Sequence, residues 1–373
     1  MQEQLVNFVC CEVNLVGDTE CLKACKSELC IVRRYERDRV DLDFLIVAGL
    51  CVACCYFKNV LSGCLVLENP LPISGLTSEM QANLDQSPSF AFNCSKHYAD
   101  LIQKSSEPAK LLREVLPSKE ELKEAPGFVD DPVGDLPAGK SECILQKYDN
   151  RALIVSTSAC GVRCRFCFRR NYPFQDTQNI ANEVSNWLDV HTSIWEVILS
   201  GGDPLTLGPG PFRDLIEAIA FHPSVTTLRI HTRLPVMRPD LVMQHFELLR
   251  ELPARFNCVL VVHANHPDEL DEESAAVFAQ LKFSGWTLLN QSVLLKGVND
   301  DATTLEKLSR RLFEQGVLPY YLHQLDHAKG VAHFEVSDER ARELIAQIRT
   351  KLPGYLVPKL VREIAGEKSK TPV

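Results

Sequence analysis

Short apolar runs recur along the second half of the chain and alternate with stretches of helical periodicity. Six of these runs have the length and composition of buried strands: Ala152–Val155, Trp195–Leu199, Thr227–His231, Cys258–His263, Thr287–Leu294 and Pro319–His323. Six strand–helix units in series predict a parallel sheet that curls into a partial or full barrel. The predicted fold class is therefore α/β, and functional side chains are expected at the carboxyl ends of the strands.

The pattern outside these six units divides the rest of the chain. Helical character at Lys96–Lys104 and Ala109–Val115 predicts a mostly helical preface before the barrel. A last helix is predicted at Ser337–Leu352, since acids open it and basic residues close it, and an extended segment follows it. We expect four parts: an atypical cysteine-rich segment at 1–70, the preface at 71–140, the barrel at 141–353 and a C-terminal segment at 354–373.

Residues 1–70 differ from the remainder of the chain. They hold nine of the 15 cysteines, and the apolar run Phe44–Phe57 is shorter than the roughly 18 residues of a membrane span. Three interpretations stay open for this segment: an unusual appended segment, a membrane-contacting anchor, or a start codon assigned too far upstream. The last is favoured, and membrane association is not expected.

Composition narrows the class of protein. Hydrophobic residues make up 45% and charged residues 24%, as in ordinary globular proteins. The formal net charge of −9 argues against a nucleic-acid partner, because such proteins carry basic patches. Thiols that serve as metal ligands must stay reduced, so a cytoplasmic location is expected.

Three cysteines in a C-x₃-C-x₂-C array follow the first predicted strand directly. These residues, Cys160, Cys164 and Cys167, are called the cysteine trio below. Thiolates at this spacing can bind one metal centre, and three ligands leave a coordination position open for a reaction. Two alternatives are a structural zinc site with a distant fourth ligand and three unrelated core cysteines.

A second motif, Ser-Gly-Gly-Asp-Pro at 200–204, follows the next strand. Its paired glycines, Gly201 and Gly202, let the backbone approach a ligand closely, although Gly-Gly-Asp is also an ordinary turn. Together with the trio, and with Phe166 just before the third cysteine, it resembles the radical S-adenosylmethionine (SAM) superfamily. That resemblance implies a partial (β/α)6 TIM-like barrel, a 4Fe–4S cluster on the trio, and SAM on the fourth iron.

Further motifs narrow the resemblance to one family from about Tyr148 onward. The motifs lie at 167–170, 200–204, 263–267, 290–295, 319–321 and 370–372. In order and spacing they resemble lysine 2,3-aminomutases. The segments 332–334 and 354–360, together with the ending at 362–364 and 369–372, resemble the shorter branch, which makes (R)-β-lysine for modification of translation elongation factor P.

The resemblance implies roles for individual residues. Lys370 matches the lysine that binds pyridoxal 5′-phosphate (PLP) covalently, and Tyr148 and Arg151 match positions that contact PLP. The SAM-contacting positions would be Gly201, Gly202, Asp203, His263 and Gln291. Arg169 would bind the carboxylate of lysine, and Asp326 and Glu363 its distal ammonium group. Glu363 stands where the family usually has aspartate, which leaves its reach toward the ammonium group open.

The implied activity is the conversion of L-lysine to (R)-β-lysine, an isomerisation that moves the α-amino group to the β-carbon. The implied partners are the substrate lysine, an electron donor such as flavodoxin or ferredoxin, and a functional link to elongation factor P and its lysyl ligase. Two other functions stay open: a related aminomutase, for example one acting on glutamate, and a non-catalytic metal-binding relative.

Overall fold

The computed structural model describes residues 76–85, 87–175 and 179–373 with their side chains, and three strand backbones among the first 75 residues. The chain divides into two units, Met1–Ile73 and Ser74–Val373. The first unit contains a three-stranded sheet. Its strands are β1 (Cys10–Glu12), β2 (Cys25–Arg33) and β3 (Leu45–Cys51), with β2 between a parallel β1 and an antiparallel β3.

Strand β3 lies inside the apolar run Phe44–Phe57, so seven residues of that run are extended. The rest of the run lies outside the described residues, as does most of the segment 1–70. Among the residues that the structure describes, no helix is long and apolar enough to cross a membrane.

A nine-stranded sheet forms the second unit. Its strands are β4 (Ile144–Tyr148), β5 (Arg151–Val155), β6 (Glu196–Ser200), β7 (Thr227–Thr232), β8 (Asn257–Val262), β9 (Thr287–Val293), β10 (Leu318–His323), β11 (Lys359–Arg362) and β12 (Thr371–Pro372). They pair in sequence order from β4 to β12, so the sheet is open. Strands β5 to β11 are parallel, while the edge strands β4 and β12 are antiparallel to their neighbours.

The helices cover the parallel sheet and complete the predicted units. They are α1 (Ser78–Asn83), α2 (Lys96–Lys104), α3 (Pro108–Val115), α4 (Ile180–Val190), α5 (Pro209–Ala220), α6 (Leu234–Met237), α7 (Pro239–Gln244), α8 (Phe246–Glu251), α9 (Glu272–Phe283), α10 (Ala302–Glu314) and α11 (Asp338–Arg349). One helix or group of helices follows each of β5 to β10. The prediction of a partial (β/α)6 barrel with a helical preface is therefore confirmed.

Local sequence accounts for the helix boundaries. The side chains of Asp301 and Ser337 accept backbone N–H groups at the starts of α10 and α11. Gly316 ends the turn after α10 with a φ of 80°, which favours glycine. The apolar faces of these two helices pack against β10 in a core cluster that includes Leu305, Leu322 and Leu344.

Candidate active site

The cysteine trio lies on the loop that follows β5. The backbone N–H of Cys167 donates to the carbonyl of Cys164 at 3.1 Å, which closes a tight turn between them. Burial raises the pKa of all three thiols, that of Cys167 to about 11, and the pKa of Cys160 is raised further by its neighbours Cys167 and Cys164. The three thiols are therefore close enough to influence one another.

The spacing of the thiols bears on which metal centre they could hold. Four ligands around one zinc ion at about 2.3 Å stand roughly 3.8 Å apart. Among the described residues, the three sulfur atoms of the trio are not all within 4.8 Å of one another, whereas ligand atoms of His97, Asp271 and Glu273 are. In a 4Fe–4S cluster each thiolate binds a different iron, so such a cluster does not require its thiolates to lie that close. The assignment of the trio to a cluster stays a prediction.

The two glycines after β6 pack directly against the backbone of the cysteine loop. A Cβ atom on Gly202 would lie 2.2 Å from the carbonyl oxygen of Ala159, and one on Gly201 would lie 2.8 Å from that of Thr157. The N–H of Gly202 donates to Thr157 O at 2.6 Å. Gly201 also has a φ of 115°. These glycines join the two loops, and no larger residue fits.

Asp203 organises the same loop from within. Its buried carboxylate accepts the Thr232 hydroxyl at 2.9 Å and the backbone N–H groups of Arg233 and Leu205. Burial raises its pKa to about 6, although these hydrogen bonds act in the opposite direction. The Asp203 side chain thus forms hydrogen bonds within the protein. If residue 203 contacts SAM, the contact would be made by its backbone.

The other two predicted SAM positions lie at the ends of neighbouring strands. His263 follows β8 and stacks on Phe166 of the cysteine loop, with ring centroids 5.4 Å apart. Burial lowers its pKa to about 3, so the imidazole is neutral at physiological pH. Gln291 lies on β9 opposite Tyr321 of β10. The predicted assignment of both residues to SAM stays a prediction.

Lys370 immediately precedes β12, and its side chain lies near residues of β10 and of the segment after β11. Its Nζ donates to Glu363 at 2.7 Å and lies 5.9 Å from the ring centroid of Tyr321. The hydroxyl of Tyr148 contacts the same carboxylate at 3.5 Å. The structure therefore brings together Lys370, Tyr148 and Glu363, which lie up to 222 positions apart in the sequence.

Arg151 lies beside this group. Its guanidinium covers the Tyr148 ring at 4.2 Å, and its Nε is 3.8 Å from Glu196. Arg229 contacts Glu196 at 2.6 Å, so two guanidinium groups share one carboxylate and leave a net positive charge. A partly buried lysine near such an excess of positive charge fits PLP, whose phosphate is anionic.

The predicted substrate residues belong to one chain of ion pairs. The Nε of Arg169 donates to Asp135 at 2.7 Å, and its Nη1 donates to Ser200 Oγ at 3.1 Å. Lys147 contacts Asp135 at 2.8 Å and Glu363 at 3.8 Å. Two of the five N–H bonds of Arg169 are used in this way, and three remain for a substrate carboxylate.

Asp326 differs from Glu363, because its carboxylate has no hydrogen bond or ion pair within the described part of the chain, although its backbone carbonyl accepts the N–H of Ala328. Burial raises the pKa of the Asp326 carboxyl to about 7, and the nearby charge of Lys370 offsets only part of this rise. Glu363 already contacts Lys370, Lys147 and Tyr148. Asp326 is therefore the acid with capacity left for a substrate ammonium group.

Sequence reasoning missed several residues of the site: Asp135, Lys147, Arg229, His231 and His323. The Nε2 atoms of His231 and His323 are buried without a hydrogen-bond partner, and burial together with nearby Lys370 lowers the pKa of both rings. Both histidines lie at the carboxyl ends of their strands. That position was the signal that could have identified them.

Curated relatives resemble most of this chain, although no protein-family model matches it. The L-lysine 2,3-aminomutase of Escherichia coli K12 is 43% identical over 289 residues, which are 76% of this chain and 83% of that protein. The L-lysine 2,3-aminomutase of Haemophilus influenzae is 43% identical over 76% of this chain and 84% of that protein. The L-lysine 2,3-aminomutase of Clostridium subterminale is 31% identical over 74% of this chain and 67% of that protein.

Solved structures resemble the chain more distantly. A radical SAM methyltransferase from Sphaerobacter thermophilus is 14% identical over 59% of this chain and 68% of that chain, with a TM-score of 0.40. Methylornithine synthase is 13% identical over 74% and 84%, with a TM-score of 0.36. On the identity of its curated relatives, the chain belongs to the L-lysine 2,3-aminomutase family.

Proposed function

We propose that this protein is a radical SAM and PLP-dependent aminomutase that converts L-lysine to (R)-β-lysine. The observation that carries the proposal is the meeting, inside one partial barrel, of the cysteine loop, the ion-pair chain through Arg169 and the Lys370 segment. The family membership supports the same activity.

The two charged ends of lysine match two separate groups in the site. Arg169 keeps three free N–H bonds and is held in place by Asp135 and Ser200, so it can bind the carboxylate at two points. Asp326 offers an unpaired carboxylate for the distal ammonium group. Fixing both ends presents one β-hydrogen in a constant direction, and an error of about 1 Å in such a position can cost ~10²-fold in rate.

When bound, the cluster and SAM supply hydrogen abstraction at carbon, and PLP supplies the π-system for the migrating amino group. The cysteine trio would hold the cluster, the loop of Gly201 and Gly202 would approach SAM, and Lys370 would hold PLP. Arg151 and Arg229 would balance the phosphate charge. The protein itself orients the substrate and excludes water.

We further propose that the product serves modification of elongation factor P through its lysyl ligase, and that flavodoxin or ferredoxin supplies the electron. Support for the first link is the resemblance of segments 332–334 and 354–360 to that branch. A glutamate aminomutase is the weaker alternative, because Asp326 and Glu363 would repel a second substrate carboxylate.

The experiment that tests the activity is anaerobic incubation of the protein with L-lysine, SAM, PLP and a reductant, followed by chiral analysis of the product. We expect (R)-β-lysine and the absorption of an iron–sulfur protein. L-Glutamate serves as the matched substrate control. A colourless zinc-loaded protein, or β-glutamate as the preferred product, would overturn the proposal.

A further inference from the structure

Arg233 joins the cysteine loop to two buried acids. It directly follows β7, and its Nη1 donates to the Sγ of Cys164 at 2.8 Å. Its Nη2 donates to Glu269 at 2.8 Å and also contacts Glu114. A guanidinium thus forms a charge-assisted hydrogen bond with one thiol of the trio.

The two acids hold this guanidinium in a fixed direction. Glu114 and Glu269 are both 0% exposed, and Arg233 is 9% exposed. Glu114 also accepts the side-chain amide of Asn265 at 2.9 Å, and Glu269 accepts the backbone N–H groups of Asn265 and His266 at 2.8 Å. Reorienting any of these three buried groups would cost free energy, because it would leave a charge buried without its ionic partner.

The preface of the chain contributes to this arrangement. Glu114 lies on α3, and its backbone carbonyl also accepts the N–H of Arg165 in the cysteine loop at 2.8 Å. Arg233 directly follows β7, and Glu269 lies in the short helical turn Pro267–Glu269 after β8. The contact therefore connects three separate segments of the chain at the sulfur of Cys164.

We propose that Arg233 is a positioning residue that hydrogen-bonds the Cys164 sulfur and raises the reduction potential of the 4Fe–4S cluster. The proposal rests on the assignment of the trio as cluster ligands in the proposed function. One electron added to the cluster increases its negative charge, which is shared with the thiolate sulfurs. A donated N–H and a nearby positive charge stabilise that reduced form, and hydrogen bonds to sulfur are an established control of cluster potential.

The test compares two buried arginines of the same neighbourhood. Arg233→Lys keeps the charge but cannot reach the sulfur and both acids together. Arg165→Lys is the matched control, since Arg165 is 0% exposed and binds Glu121 and the carbonyl of Phe90 but no thiol. Both proteins are reconstituted anaerobically and titrated electrochemically, with the reduced cluster followed by electron paramagnetic resonance.

We expect Arg233→Lys to bind a full complement of iron and to show a midpoint potential below that of the wild type. Arg165→Lys is expected to leave the midpoint unchanged. A fully loaded Arg233→Lys protein with the wild-type midpoint potential would overturn the inference about Arg233 and leave the proposed function standing. Cluster formation in Cys164→Ala would instead defeat the ligand assignment on which the inference rests.

A second measurement, made on the wild type, tests the proposal if the Arg233→Lys protein takes up no iron. Wild-type protein is labelled with ¹⁵N only in its arginine guanidinium groups, and the reduced cluster is examined by pulsed electron paramagnetic resonance. We expect a weak ¹⁵N coupling transmitted through the hydrogen bond to sulfur. No such coupling in the fully loaded wild-type protein would show that no guanidinium donates to the cluster, and would overturn the proposal.

Discussion

The replacement of Arg169 by lysine tests how the substrate carboxylate is bound. The change keeps a positive charge but exchanges a planar fork for a single ammonium group. Asp135 keeps its second partner, Lys147 at 2.8 Å, so the buried carboxylate is not left without a counter-ion. The variant is therefore expected to fold.

The magnitude follows from the donors that are lost. Arg169 has three N–H bonds left for substrate, whereas a lysine side chain that still contacts Asp135 offers one strong bond fewer to the carboxylate. A hydrogen bond to a charged group contributes about 1.5–3 kcal/mol, so kcat/KM should fall roughly 10- to 150-fold. Because the carboxylate is bound both before and during the reaction, most of the loss should appear in KM.

The assay measures initial rates of β-lysine formation over a range of L-lysine concentrations under anaerobic conditions. The matched control is Arg170→Lys, since Arg170 is the neighbouring arginine but contacts Glu121 at 2.6 Å and the carbonyl of Gly330 at 3.2 Å. We expect its kcat/KM to stay at the wild-type value.

A substrate analogue separates carboxylate binding from general damage. 1,5-Diaminopentane is lysine without its carboxylate, so its inhibition constant should be the same for the wild type and for Arg169→Lys. If the variant weakened 1,5-diaminopentane as much as it weakened lysine, Arg169 would not be the carboxylate ligand. Equal losses in Arg170→Lys would lead to the same conclusion.

Three further predictions concern the remaining parts of the site. Alanine at any cysteine of the trio should abolish the iron–sulfur signal and SAM cleavage, while serine at Cys94 should retain iron; metal analysis and absorption spectra check this. Lys370→Ala should lose the PLP absorption band and turnover but keep basal SAM cleavage, whereas Lys368→Ala should change turnover only slightly. Borohydride trapping of PLP on Lys368 would contradict the assignment of Lys370. Burial raises the pKa of Asp326 to about 7, so its carboxylate becomes protonated as the pH falls through 7, and the KM for lysine should rise. Measured over the same pH range, Asp326→Asn should show no such rise in KM, while Glu363→Gln should still show it.

The sheet shows what the sequence could and could not predict. Strand β8 is apolar at every position after Asn257, and β6 has the apolar centre Val-Ile-Leu. Helices cover the parallel sheet, so the positions of both strands follow from composition. The edge strand β4 has the mixed sequence Ile-Leu-Gln-Lys-Tyr and becomes a strand only by pairing with β5. Strand β12 has two residues and is defined by its antiparallel partner β11, a tertiary contact.

The same limit applies to the site. Family motifs identified residues of the right chemical type, and Lys370, Glu363 and Tyr148 do meet in the structure. The ionic partner of Arg169 was not predictable, because Asp135 lies 34 positions earlier, in the preface, where a single aspartate carries no distinguishing pattern. Pairings between distant charges depend on how the segments pack, not on local sequence.

The close packing of Gly201 and Gly202 under the cysteine loop affects how this protein can vary over evolutionary time. Any side chain at Gly202 would have to displace the backbone at Ala159, one residue before Cys160, rather than push aside a flexible neighbour. Two loops that meet through backbone atoms cannot compensate for each other by exchanging side chains. Sequence drift in this part of the fold should therefore be confined to positions outside the contact, and a library of all substitutions should retain glycine alone at position 202.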